Sequence, residues 1–103
     1  FTKHGDGASD ILPIADLLKT QVRKLAQELK IPRVIIDKAP TAGLWPNQTD
    51  EGEMGITYPE LDDIISRIEN KKPHSFGKEK VSKVKKMIAG SEHKRIKAQI
   101  CRV

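Results

Sequence analysis

A chain of 103 residues is long enough for one domain with a modest core, and its 37% hydrophobic against 32% charged residues make it more polar than an average globular chain. The formal net charge of +5 favours anionic partners (phosphates, nucleic acid or an acidic surface), although a lysine-rich solvated surface accounts for it equally well. Cys101 is the only cysteine, which excludes an intramolecular disulfide and a cysteine-based metal site, and no apolar run approaches the roughly 20 residues needed to span a bilayer.

The opening "FTKHGDGASD" reads as a glycine-punctuated loop without the apolar centre of a signal peptide. "ILPIADLL" is apolar, but Pro13 argues against a central strand. From Lys19 the pattern turns helical, with Val22, Leu25, Ala26 and Leu29 at i, i+3, i+4 and i+7, and Thr20 or Asp16 placed to cap the start. Pro32 stops that helix and suits the first turn of a short second one, "PRVIID". Residues 38–56 then form a long loop around "TAGLWPNQTDEGEMG", which has neither helical nor strand periodicity. Loops of this length are usually functional lids or disordered linkers, and linkers seldom carry tryptophan, so Trp45 favours a lid.

Thr57 and Glu60 have the spacing of a capping box, and Pro59 falls in the first turn of the helix they open. Leu61, Ile64, Ile65 and Ile68 give it an apolar stripe, with Asp62, Asp63 and Glu69 facing elsewhere. "NKKPHSFG" is a turn region. A last helix over residues 78–89 buries Val81, Val84 and Ile88, displays lysines and ends at Gly90, while "SEHKRIKAQICRV" has no clear period. The sum is about four helices and no confident strand. Their amphipathic faces pack either on one another or on a sheet that this chain does not contain.

Three groups of polar residues carry candidate chemistry: Lys3, Asp6 and Asp10 in the opening loop; Lys19, Thr41 and Asp50 in the middle; and "EHKR" at residues 92–95. Each reads also as solvated surface. His4, His74 and His93 lack the spacing of a zinc site, and the usual phosphate loops and nucleophile elbows are absent. A stand-alone basic nucleic-acid-binding module is the alternative reading, since "KEKVSKVKK" and "HKR" suit a phosphate backbone. Against it, no helix-turn-helix or RNA-binding signature is present, and no aromatic residues interleave with the basic ones for base stacking.

Taken together, the motifs resemble one family. "FTKHGDGASDILPIADLLKTQVRKLA" is similar to the F-T-K-Y-G-D-G-x-x-D-I-x-P-[IL] segment of ammonia-dependent NAD synthetases and its following helix. "KAPTAGLWPNQTDEGEMGITYPELDDII" resembles the K-x-P-[ST]-A-x-L…[QS]-[ST]-D-E-x-x-[LM]-G-[IV]-[ST]-Y-x-x-[IL]-D-D block, and "SEHKR" the closing x-E-H-K-R. Three motifs in the correct order cover the chain from Phe1 to about Arg95. His4 stands where the family commonly has tyrosine, and "IKAQICRV" lacks the prolines common after H-K-R.

The resemblance implies an α/β fold in the intact protein, of the adenine nucleotide alpha hydrolase-like ATP pyrophosphatase group, with a parallel sheet flanked by helices. This chain would be the mostly α-helical C-terminal portion with a long loop. The S-G-G-x-D-S phosphate loop and the Mg2+ ligands would lie on an N-terminal half outside it. The implied reaction joins ATP, deamido-NAD and ammonia through an adenylate, in a cytoplasmic homodimer, with no nucleic-acid or membrane partner and no activity from the fragment alone. By the same resemblance Lys19 and Thr41 contact ATP, Lys3, Asp10, His93 and Lys94 contact deamido-NAD, and Asp50 is the loop aspartate that attracts ammonium and takes its proton. The loop would close over ATP and the adenylate, with Trp45 offering an apolar face for the closed state or anchoring the loop on the domain core.

Overall fold

The computed structural model describes residues 9–73 and 75–95. Expectations that fall on Lys3, His4 and Asp6, on His74, and on the tail with Cys101 lie outside the described residues. In chain order come α1 (Lys19–Glu28), α2 (Arg33–Ile36), α3 (Asp50–Met54), α4 (Tyr58–Glu69), α5 (Lys78–Gly90) and a 3-10 turn (Glu92–Lys94). No strand occurs among the described residues. The apolar "ILPIADLL" forms successive turns, closed by Ala15 N–H to Leu12 O and Leu17 N–H to Ile14 O, because Pro13 leaves no continuous donor row for a ladder.

The core is small and lies between α4 and α5, with Ile56 just before α4 added to it. Ile64 and Val84 are fully enclosed, Ile56 and Val81 nearly so, and Leu61, Ile65, Ile68, Phe76 and Ile88 pack around them. The expected stripes on both helices are therefore the faces that meet. α4 begins as anticipated: Thr57 Oγ1 accepts from Glu60 N–H while the Glu60 carboxylate accepts from Thr57 N–H, with Pro59 in the first turn. Lys80 reaches across from α5 to the same carboxylate at 2.6 Å and, with the Thr57 amide, holds Glu60 below its ordinary range.

α1 differs from expectation at both ends. Neither Thr20 nor Asp16 caps it. Instead Asp62, placed by its sequence neighbours on the outer face of α4, is buried and accepts from Thr20 N–H at 2.7 Å. A carboxylate from another helix thus satisfies an orphan donor at the positive end of α1. At the other end Lys30 adopts the left-handed conformation (φ 56°), donating to Gln27 O while Ile31 N–H bonds Ala26 O, so a Schellman turn stops the helix before Pro32 does. α4 ends the same way, with Lys71 at φ 52°.

No residue of α1 is buried. Its apolar stripe has Val22 and Ala26 half-covered, while Leu29 remains 65% exposed, as do Val34 and Ile35 of α2 for most of their surface. α5 runs one residue beyond Ala89 to Gly90, and Ser91 ends it. The 3-10 turn that follows is fastened back by Arg95, which donates to Ile88 O and Ser91 Oγ and pairs with Glu92.

Two substitutions separate the core from the strut. Ile64→Ala removes side-chain volume from a site with no room to relax and should lower stability by about 2–5 kcal/mol in denaturant titration. Asp62→Ala leaves the Thr20 amide without its buried acceptor and should cost about 1–3 kcal/mol, appearing as faster hydrogen exchange in the first turn of α1.

Candidate functional site

A cavity of about 390 Å3 opens between α1, α2 and the connector that follows α2. Val22 and Ala26 of α1, Ile35 and Ile36 of α2, and Pro40 make it apolar. Lys19, Arg23, Lys38 and Thr41 supply its polar groups, and no carboxylate lines it. Lys19 and Arg23 are four residues apart on α1 and so share a face, and no ion pair engages either of them, or Lys38, among the described residues. Three cations around an apolar floor suit a ligand with a flat apolar part and a strongly anionic part.

The long loop is folded, which corrects the expectation of a segment without structure of its own. Gln48 is buried beneath it: its carbonyl oxygen accepts from Leu44 N–H at 2.7 Å and its amide donates to Glu53 at 2.7 Å. Thr49 caps α3 by accepting from Gly52 N–H, and Gly55 closes α3 in the left-handed region (φ 61°), where a Cβ would also come within 2.8 Å of Lys83 Nζ. Asp50 N–H donates to Pro40 O at 2.9 Å and joins the two feet of the loop. Thr41 Oγ1 accepts from Gly43 N–H, leaving the hydroxyl proton for a further acceptor. Trp45 is 49% exposed near the tip.

Tyr58 ties the loop to the cavity. Its hydroxyl donates to Asp50 Oδ2 at 2.9 Å, its backbone N–H to Glu51 Oε1 at 2.7 Å, and its ring lies 5.5 Å from Lys19 Nζ, within cation–π range. Burial, reinforced by the Asp50 hydrogen bond and by the charges of Asp50, Glu51 and Asp62, pushes its phenol from 10.0 up to about 12.

The structure therefore brings together Lys19 and Thr41 on one cavity, with Asp50 joined to Lys19 through Tyr58. Asp10 is exposed in the turn segment before α1, and His93 and Lys94 are exposed on the 3-10 turn after α5; none of the three lines this cavity. Sequence reasoning missed Arg23, Lys38 and Tyr58. The Lys19–Arg23 spacing was a usable signal for the first; nothing local marks Tyr58, whose partners come from α1 and α3. Among the described residues no group of three or more His, Cys, Asp or Glu is placed to hold a metal, and no helix is long and apolar enough to cross a membrane.

An apolar cleft lined by Lys19, Arg23 and Lys38, with Thr41 at the first foot of the loop, has the chemistry to take an anionic ligand with an apolar part. Comparison with known proteins narrows that class. The NAD synthase family model matches residues 1–98. An NH(3)-dependent NAD(+) synthetase of Archaeoglobus fulgidus is 52% identical over 100% of this chain and 41% of its own length. One from Syntrophomonas wolfei is 46% identical over 91% of this chain and 35% of its length. Among solved structures, NMN synthetase from Francisella tularensis superposes with a TM-score of 0.80 at 44% identity, covering 100% of this chain and 41% of that one. The chain belongs to the NAD synthase family, and it spans 41% and 35% of the length of the two curated relatives.

The phenol offers a direct check on the site. In difference spectra between the protein and its Tyr58→Phe variant, phenolate should appear with a midpoint near 12 rather than 10. Asp50→Asn should bring that midpoint down without restoring it fully, because burial is the larger cause. A raised phenol pKa stabilises the fold below pH 10.0, and that contribution should be lost as pH rises through about 12.

Proposed function

We propose that the chain is the C-terminal part of an enzyme that amidates deamido-NAD with ammonia at the expense of ATP, giving NAD, AMP and pyrophosphate. The observation that carries this reading is that Lys19 and Thr41, from α1 and the far side of α2, line one cation-rich cavity within a chain of the NAD synthase family. Because the chain spans about two-fifths of the A. fulgidus relative, the reaction belongs to the intact protein. The 103-residue chain alone should make no NAD.

The chemistry explains why such residues are needed. A carboxylate is a poor electrophile: its charge repels nucleophiles and oxide is a poor leaving group. Attack of the nicotinate carboxylate on the α-phosphate of ATP forms a mixed anhydride and releases pyrophosphate, and ammonia then attacks the acyl carbon and expels AMP. Lys19, with Arg23 and Lys38 beside it, holds phosphate oxygens and offsets charge as pyrophosphate departs, while the Thr41 hydroxyl donates to the same nucleotide. The loop over residues 41–49 covers the adenylate against water until ammonia arrives. Asp50, at the foot of that loop, attracts ammonium and takes its proton. Asp10, His93 and Lys94, with Lys3, hold deamido-NAD. Magnesium ligands lie elsewhere in the intact protein, which we take to be a cytoplasmic homodimer.

In the intact enzyme, Lys19→Ala should reduce ATP use by roughly one to two decades, the value of a charge-assisted hydrogen bond of about 1.5–3 kcal/mol, with a smaller effect on deamido-NAD use. Thr41→Val should give a smaller, similarly ATP-directed loss. Lys85→Ala, on the exposed side of α5, should change either by less than about half a kcal/mol. Steady-state kinetics with each substrate varied would check this, and equal small effects at Lys19 and Lys85 would refute the phosphate site. Strong salt-dependent DNA or RNA binding without response to deamido-NAD would favour the nucleic-acid alternative.

The structural neighbour's name favours a second reading of the substrate, in which a mononucleotide acid replaces the dinucleotide. The ratio of kcat/KM for nicotinate mononucleotide and for deamido-NAD decides between them. We expect the dinucleotide to win by at least about tenfold, the value of one further good polar contact.

A further inference from the structure

We propose that Tyr58 is a positioning residue that couples the covering loop to the lysine of the cation-rich cavity, so that seating the loop and aiming Lys19 are one event. The inference rests on the amidation reading for its kinetic consequences, but its geometry does not. Tyr58 opens α4, set by the Thr57–Glu60 capping box and Pro59, and its backbone N–H is held in addition by Glu51 of α3. From that fixed point one side chain makes two contacts of different kinds. Its hydroxyl donates to Asp50, whose own N–H closes the loop on Pro40, next to Thr41. Its ring face meets the Lys19 ammonium at 5.5 Å.

The two contacts reinforce each other. A phenol that donates to a carboxylate is polarised toward its ring, and a more electron-rich ring holds a cation better. Lysine also has a long flexible stem that would otherwise sample many rotamers, including ones outside the cavity. Asp50 on one side of the phenol and Lys19 on the other are the two groups assigned above to ammonium and to phosphate. Tyr58 reaches both while lining none of the cavity itself. If the loop lifts, Asp50 leaves the hydroxyl and Lys19 loses the better of its two ring states.

The test uses two variants in the intact protein, because they divide the contacts. Tyr58→Phe keeps the ring and removes the hydroxyl. It should leave the KM for ATP within about twofold, lower kcat by roughly tenfold, and add nothing further when combined with Asp50→Asn. Tyr58→Leu removes both contacts and should raise the KM for ATP as well. Equal losses in kcat and KM from Phe and Leu, or additive losses with Asp50→Asn, would mark a merely structural tyrosine and overturn the coupling. Two readouts are independent of turnover: hydrogen exchange across residues 41–50 should quicken in Tyr58→Phe, and ATP titration should show binding weakened within about twofold in Tyr58→Phe and clearly more in Tyr58→Leu. If the parent makes no NAD, the amidation reading fails, and these two arms still decide the role of Tyr58. Unchanged exchange, or equal ATP affinity in both variants, overturns it.

Discussion

The arrangement of this chain depends on one partly buried hydrogen bond, from the Thr20 backbone N–H to the buried Asp62 carboxylate. α1 buries no residue of its own, so apolar contact does little to fix its angle on α4. A carboxylate against the positive end of a helix is both a hydrogen-bond acceptor and an electrostatic partner, and burial strengthens both effects. Because Lys19 is the first residue of α1 and Tyr58 the first of α4, pinning the start of α1 to α4 also sets the distance between the lysine and the ring.

The cavity concentrates positive charge on the first turns of α1, beside the Asp62 carboxylate and the Tyr58 ring. Lys19 and Arg23 are like charges at i and i+4, a pairing that destabilises a helix by about 0.2–0.5 kcal/mol. Lys19 also stands at the positive end of the helix dipole, and the first turn holds no acidic residue. Among the described residues, ion pairs join Glu60 with Lys80, Asp63 with Arg67, Asp37 with Arg33 and Glu92 with Arg95, and most of the other lysines, on the surface as in the cavity, are outside any ion pair.

The loop shows how a long segment can be ordered largely by polar groups. Its shape comes from polar groups that satisfy one another: a buried glutamine bridging Leu44 and Glu53, a threonine capping a five-residue helix, and a backbone bond between its feet.

Much of the helical frame was readable in the residues, because it depends on local rules. The Thr57–Glu60 capping box, the Ile64 stripe and the valines of α5 each follow from spacing alone, and the structure places them accordingly. Motif order also pointed to the NAD synthase family. α3 was missed because five residues are too few to show a period, although Thr49, Asp50 and Gly55 carried its start and stop signals. Asp62 was assigned to the wrong face because helical periodicity weighs a carboxylate as solvent-seeking, and only a donor forty-two residues away in sequence makes its burial favourable. Sequence by itself determined α1, α2, α4 and α5, whose periods and stop signals are local, and the family that the order of the motifs marks. Only the tertiary structure decided that Lys19, Tyr58 and Asp50 meet, because their contacts join three separate elements and no local preference encodes a distance between helices.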